Sequence, residues 1–92
     1  QDFDAIFAAS DAIAVLALRE LGKRGIRVPD QVRLIGFDDL PIAAQTVPAL
    51  TTIRQDILGG AKAMVDLLLR RLAGEETESL VLPPRLILRD TA

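Results

Sequence analysis

The chain contains no cysteine, no histidine, no tryptophan and no tyrosine. Without cysteine there is no disulfide framework, no thiolate nucleophile and no thiolate metal site, and a reducing cytoplasm suits such a composition. Without histidine, the commonest general base and the commonest transition-metal ligand are both missing. Three phenylalanines are the whole aromatic complement, too few for the stacking platforms that hold single strands. A net charge of -2 gives no electrostatic footprint for DNA or RNA. No apolar run reaches the roughly 18 residues of a membrane-crossing helix, and the start of the chain lacks a signal-peptide pattern. A glycine-rich phosphate loop is absent too, and Ser10 has no histidine to activate it, so no enzymatic activity and no cofactor are expected.

What remains is a globular composition: 92 residues, 50% hydrophobic and 26% charged. That length supports one small domain. The first residue is Gln1 rather than methionine, and four residues later an apolar run begins, as expected of a piece of a longer chain.

Hydrophobic patterning predicts an alternation of strands and helices. Ala5–Ala9 reads as a short strand ending at Ser10-Asp11, either of which can cap the helix predicted over Ala12–Arg24 and stopped by Gly25. From Ala12 to Leu18 that helix carries no polar residue, so its first half should be covered on more than one side, by more chain or by a partner. A loop over Ile26–Gln31 leads to a strand beginning at Arg33, whose apolar run implies burial on both faces. Asp39-Leu40-Pro41 resembles a cap followed by proline, opening a short turn through Ile42, Ala43 and Ala44. Leu50–Ile53 is a brief strand. A second helix is predicted from about Asp56 to Ala73, with Ile57, Ala61, Met64, Leu68 and Leu72 as its core stripe. Gly59-Gly60 near its start implies either close backbone approach or a frayed end. Leu80–Leu82 and Leu86–Leu88 read as edge strands separated by Pro83-Pro84. The order β-α-β-turn-β-α-β-β implies an α/β fold, three-layer, with a mostly parallel sheet and flanking helices. Two full helices are few for such a sheet, so the remainder of a larger domain or a second copy should shield one face or edge.

Chemistry concentrates at strand ends. Parallel neighbours would bring Ser10-Asp11, Asp38-Asp39 and Arg54-Gln55 to one rim, where open α/β sheets hold ligands. Such carboxylate, amide and hydroxyl groups suit a polyhydroxylated small molecule. Asp11 and Asp39 are expected chiefly as helix caps, and Arg54 as a solvated or salt-bridged side chain. Asp38 is read equally as a ligand contact or a loop hydrogen-bonding group. Adjacent carboxylates could hold Mg²⁺, but two strand-end acids make a weak site, and no metal is expected.

The segments A-I-F-A-A-S-D, G-I-R-V-P-D-Q-V-R-L-I-G-F-D-D, P-A-L-T-T-I-R-Q-D and L-P-P-R-L-I-L-R-D-T occur in order along essentially the whole chain. Together they resemble the LacI/GalR family of bacterial transcription regulators. The resemblance implies the C-terminal part of an effector-binding domain of periplasmic-binding-protein-like type, here incomplete. It implies effector contacts at Ser10, Asp38 and Gln55, with Ile57 as an apolar wall, and a sugar or similar polar metabolite as effector. Many members carry Asn-Asp where this chain has Ser10-Asp11, so a bidentate amide is replaced by a hydroxyl. A homodimer surface would fall on Ile13 and Val15 of the first helix and on the loop near Ile42, Gln45 and Thr46. DNA would be held only by an N-terminal headpiece outside this sequence, so these 92 residues alone should neither bind DNA nor grip effector tightly. A fragment of a periplasmic sugar-binding transport protein is the alternative reading, and an α/β enzyme fragment with Mg²⁺ at Asp38 and Asp39 a more distant one.

Overall fold

A polar residue after an apolar run turns strand into helix at the first crossover. β1 (Ala5–Phe7) ends before Ser10, whose hydroxyl accepts a hydrogen bond from the Ile13 amide at 3.2 Å and caps α1 (Asp11–Lys23). Gly25, at φ +72°, ends that helix in the left-handed conformation glycine adopts without steric cost. The computed structural model describes residues 2–92, which divide into two units. The first comprises the chain up to Arg54 together with Arg85–Ala92, and the second is Gln55–Pro84.

In the first unit β1 pairs in parallel with β2 (Arg33–Ile35), setting Ile6 beside Leu34 and Phe7 beside Ile35. A parallel bridge between Ile35 and Thr51 carries the pairing onward. The Gly36 amide donates to Thr51 O at 2.9 Å and the Asp38 amide to Ile53 O at 2.8 Å. β3 (Thr52–Arg54) then pairs antiparallel with β4 (Arg85–Ile87). The strands thus follow one another in chain order, parallel except at the last edge. Thr91 fills the gap between β2 and β3. Its hydroxyl donates to Leu34 O at 2.7 Å and accepts from the Thr51 amide at 2.8 Å, while its carbonyl accepts from the Leu34 amide at 2.9 Å.

The core under α1 is small. Ala8, Ala14, Leu34, Ala43 and Leu50 form one buried cluster, flanked by Ile6, Ala17, Leu18 and Val28. Burying Leu34 and Leu50 completely contributes about 2 kcal/mol each of transfer free energy. The opposite face of the sheet is less well covered. Phe7 is 61% exposed, Ile35 is half-buried and Leu86, paired with Ile53, is 56% exposed. The expectation of a strand buried on both faces therefore holds for Leu34 but not for its neighbours. In α1, Ala14 is buried while Ile13 and Leu16 are exposed, so the apolar start of that helix is covered on one side only.

The second unit is built on α2 (Ile57–Leu72), capped by Asp56, whose carboxylate accepts from the Gly59 amide at 2.9 Å. A Cβ on Gly59 would overlap that carboxylate, which gives this glycine a steric reason. The start of the helix is thus capped rather than frayed. The predicted core stripe is a correction: Ile57, Ala61, Met64, Leu68 and Leu72 are all exposed. The half-buried positions are Gly59, packed on its cap Asp56, and Gly60, Ala63 and Leu67, on the side where the returning chain passes. Leu82 lies over Gly60, and Leu80 borders a groove with Ala63 and Leu67. The strand predicted at Leu80–Leu82 is not formed. This segment lies along a helix, and Pro83-Pro84 after it can donate no ladder hydrogen bonds.

The first unit is joined through one buried carboxylate. Asp11, fully buried, accepts from the Thr52 hydroxyl at 2.5 Å and from the Leu40 amide at 2.7 Å, and its own amide donates to Phe37 O at 2.9 Å. It therefore connects the start of α1, the loop after β2 and β3. Its role exceeds the helix cap expected of it, which Ser10 supplies. Gly36 makes room: a Cβ there would overlap Asp11 Oδ1 and crowd Leu50. Replacing Asp11 with alanine leaves a buried amide and hydroxyl without their partner, and should lower unfolding free energy by about 2–4 kcal/mol. Asp11→Asn, which keeps an acceptor for Leu40 and lets the Thr52 hydroxyl turn to accept, should cost less than half as much in denaturant midpoint at unchanged m-value.

Candidate functional site at the rim of the sheet

The loop between β2 and β3 begins at Gly36 and turns sharply. Asp38 has φ +116° and Asp39 φ +55°, two consecutive non-glycine residues in a region that costs L-residues roughly 1–2 kcal/mol each. Aspartate tolerates it best, because its short side chain bonds locally. Such backbone persists only where its surroundings over-determine it. Here they do. The Asp38 amide is held by Ile53 O, the Leu40 amide by Asp11, and the Asp39 amide weakly by the Thr52 hydroxyl at 3.4 Å.

The Asp39 carboxylate supplies the remaining restraint. Its side chain is only 7% exposed and lies between two guanidinium groups. Arg54 donates to Oδ2 at 2.7 Å and Arg89 to Oδ1 at 2.8 Å. Arg54 is thus salt-bridged, as its type and place imply, whereas Arg89 went unnoticed in the sequence because fifty residues separate it from Asp39. Burial pushes the Asp39 carboxyl up, but the hydrogen bonds and charges of Arg89 and Arg54 outweigh it and hold the pKa below the ordinary value. Asp39 does not cap the following 3-10 turn, Pro41–Ala44, as expected; Leu40 occupies that position without a side-chain bond.

Ser10 and Asp38 come together at this rim. The Asp11 amide bonds Phe37 O at 2.9 Å, and Ser10 and Asp38 each adjoin one end of that bond. Both are half-buried. Ser10 Oγ accepts from the Ile13 amide, a bond that does not use its proton. Gln55 follows β3 directly, and with Ile57 it opens the second unit. Asp11 and Asp39 have their oxygens engaged by Thr52, Leu40 and the two arginines. Among the described residues no three acidic groups are arranged to hold a metal ion. No helix among them is long and apolar enough to cross a membrane.

The lowered Asp39 pKa makes a signed prediction. The carboxylate's contribution to stability is complete above the ordinary aspartate pKa of about 3.9 and disappears as pH falls through the lower folded value. Melting temperatures of the parent protein and Asp39→Asn, measured between about pH 3 and pH 7, should differ by a constant gap above about pH 5 that closes below about pH 4.

Comparison with known proteins places this geometry. Residues 2–92 match the periplasmic binding protein-like domain. The chain is 40% identical over 92 residues to the HTH-type transcriptional regulator CelR of Thermobifida fusca, covering 98% of this chain and 27% of that protein. It is 33% identical over 90 residues to the ribose operon repressor of Halalkalibacterium halodurans, covering 96% of this chain and 27% of that one. Among solved structures it superposes on a CelR–cellobiose complex with TM-score 0.89 at 40% identity, covering 99% of this chain and 28% of that one. On the lac repressor dimer bound to operator and the anti-inducer ONPF it gives TM-score 0.88 at 33% identity, covering 95% and 31%. The chain spans about a quarter to a third of these relatives' length. A match along its whole described length, with the fold in agreement, means that this chain belongs to the periplasmic binding protein-like domain family, in its LacI/GalR branch.

Proposed function

We propose that residues 1–92 form the C-terminal subdomain of the effector-sensing and dimerisation domain of a LacI/GalR-type transcriptional regulator. Its effector is a sugar or similar small polar metabolite. The observation that carries this is the rim itself. Ser10 and Asp38, from the segments that follow the paired parallel strands β1 and β2, flank one backbone hydrogen bond beside a turn held in costly positive-φ geometry. A hydroxyl that donates and a carboxylate that accepts in fixed directions match the hydroxyls of a sugar. By the family resemblance alone, Gln55 and Ile57 of the second unit are further candidate contacts, an amide and an apolar wall. Effector held between this subdomain and the other half of the cleft biases their orientation, and so the DNA affinity of distant headpieces. The role is binding, with no chemistry on the ligand, in the cytoplasm.

The dimer surface is the apolar start of α1 with the 3-10 turn and the loop that follows it. Ile13 is 54% and Ile42 41% exposed, Val15 and Thr46 are half-buried and Gln45 is exposed. Leu16 at 64% and Val47 at 94% add apolar area the sequence pattern did not single out. A homodimer partner removes that area from water at about 25 cal/mol per Å². DNA contact belongs to a headpiece outside these residues. The relatives are named as regulators of transcription, which favours this reading over a transport protein.

Calorimetric titration of the full-length protein with cellobiose, the sugar of one structural relative, tests the site. Asp38→Asn should weaken binding about 10- to 100-fold, the loss of one or two hydrogen bonds to a charged acceptor. Its melting temperature should move by less than about 2 °C, since the change is isosteric. Unchanged affinity in Asp38→Asn would remove Asp38 from the site.

A further inference from the structure

The turn that carries Asp38 is held from the far end of the chain. Arg89, just after β4, has a side chain only 19% exposed and fixed at two points. One terminal nitrogen donates to Leu50 O at 3.0 Å and the other to Asp39 Oδ1 at 2.8 Å. The Arg89 amide donates to the Thr51 hydroxyl at 2.8 Å, so the backbone beneath it is fixed as well. Arg54, the other arginine on Asp39, is 51% exposed and its pairing is correspondingly screened. Of the two, Arg89 is the one whose position the fold determines. It spans from Leu50, two residues before β3, to the second of two positive-φ residues, and the first of those is Asp38.

We propose that Arg89 is a positioning residue for effector binding. Acting through Asp39, it holds the Asp38–Asp39 turn in the geometry that presents Asp38, without touching effector itself. The proposal rests on the reading of Asp38 as an effector contact. The requirement is for arginine specifically. A planar guanidinium can serve two acceptors in fixed directions, while a lysine ammonium on its flexible stem keeps the charge but not the fork.

Two measurements on the full-length protein test it. Amide hydrogen exchange without any sugar should show the Asp38 and Leu40 amides opening about tenfold or more faster in Arg89→Lys, with the Ala8 amide in the β1–β2 ladder unchanged. Titration with cellobiose should then show Arg89→Lys and Asp39→Asn each weakening binding about tenfold or more. The double variant should lose no more than the weaker-binding single one, because both act through one contact. Unchanged exchange at Asp38 and Leu40 overturns the proposal whatever the sugar, and decides it where cellobiose is not bound. Faster exchange with unchanged affinity, while Asp38→Asn still weakens binding, overturns the positioning role and leaves Asp38 as a contact. Unchanged affinity in Asp38→Asn removes that contact, and the proposal with it.

Discussion

The buried carboxylate of Asp11 is the constraint on which the first unit depends. A polar carboxyl group with no exposure is tolerated in a small core only if its oxygens are occupied. Here a strand hydroxyl, Thr52, and a loop amide, Leu40, occupy them. The consequence is geometric. The start of α1, the loop after β2 and β3 must meet at one point, the end of the sheet where their functional groups gather. Gly36 belongs to the same constraint, since any side chain there would displace the carboxylate.

Around that anchor the rim is built from opposing costs. The backbone at Asp38 and Asp39 is held in positive-φ geometry, and the arginine pair on Asp39, the Ile53 carbonyl and Asp11 offset the strain. The aspartates at this end of the sheet are therefore unlike one another. Asp11 is a structural tie, Asp39 a clamp for the turn, and Asp38 the group proposed to face effector. Adjacent carboxylates in a sequence suggest shared chemistry, such as a cation site. In this fold their surroundings separate them, because each has different partners.

Much of this was legible in the residues themselves. Ser10 before an apolar helix, Gly25 after it, and Pro41 opening a turn are local signals with local causes, and the elements formed where those signals stand. The end-of-strand placement of Asp38 followed from strand alternation alone. What was not legible depends on distance in the chain. Nothing near Asp39 announces Arg89, and Asp11 looks like a helix cap until Thr52 is brought beside it. The α2 stripe failed for a different reason. Spacing of three and four residues marks an apolar face but not whether this stretch of chain covers it, and the returning segment lies over Gly60, Ala63 and Leu67 instead. Leu80–Leu82 misled in the same way, since a short apolar run packs on a helix as readily as in a sheet.

Asp11 and Thr52 form one energetic unit that brings the strand ends together. A double-mutant cycle of Asp11→Ala and Thr52→Val, read as unfolding free energy in denaturant, measures this directly. The double variant should be more stable than the sum of the two single losses requires, with a coupling of about 1–3 kcal/mol. Losses that add to within about 0.5 kcal/mol would contradict it.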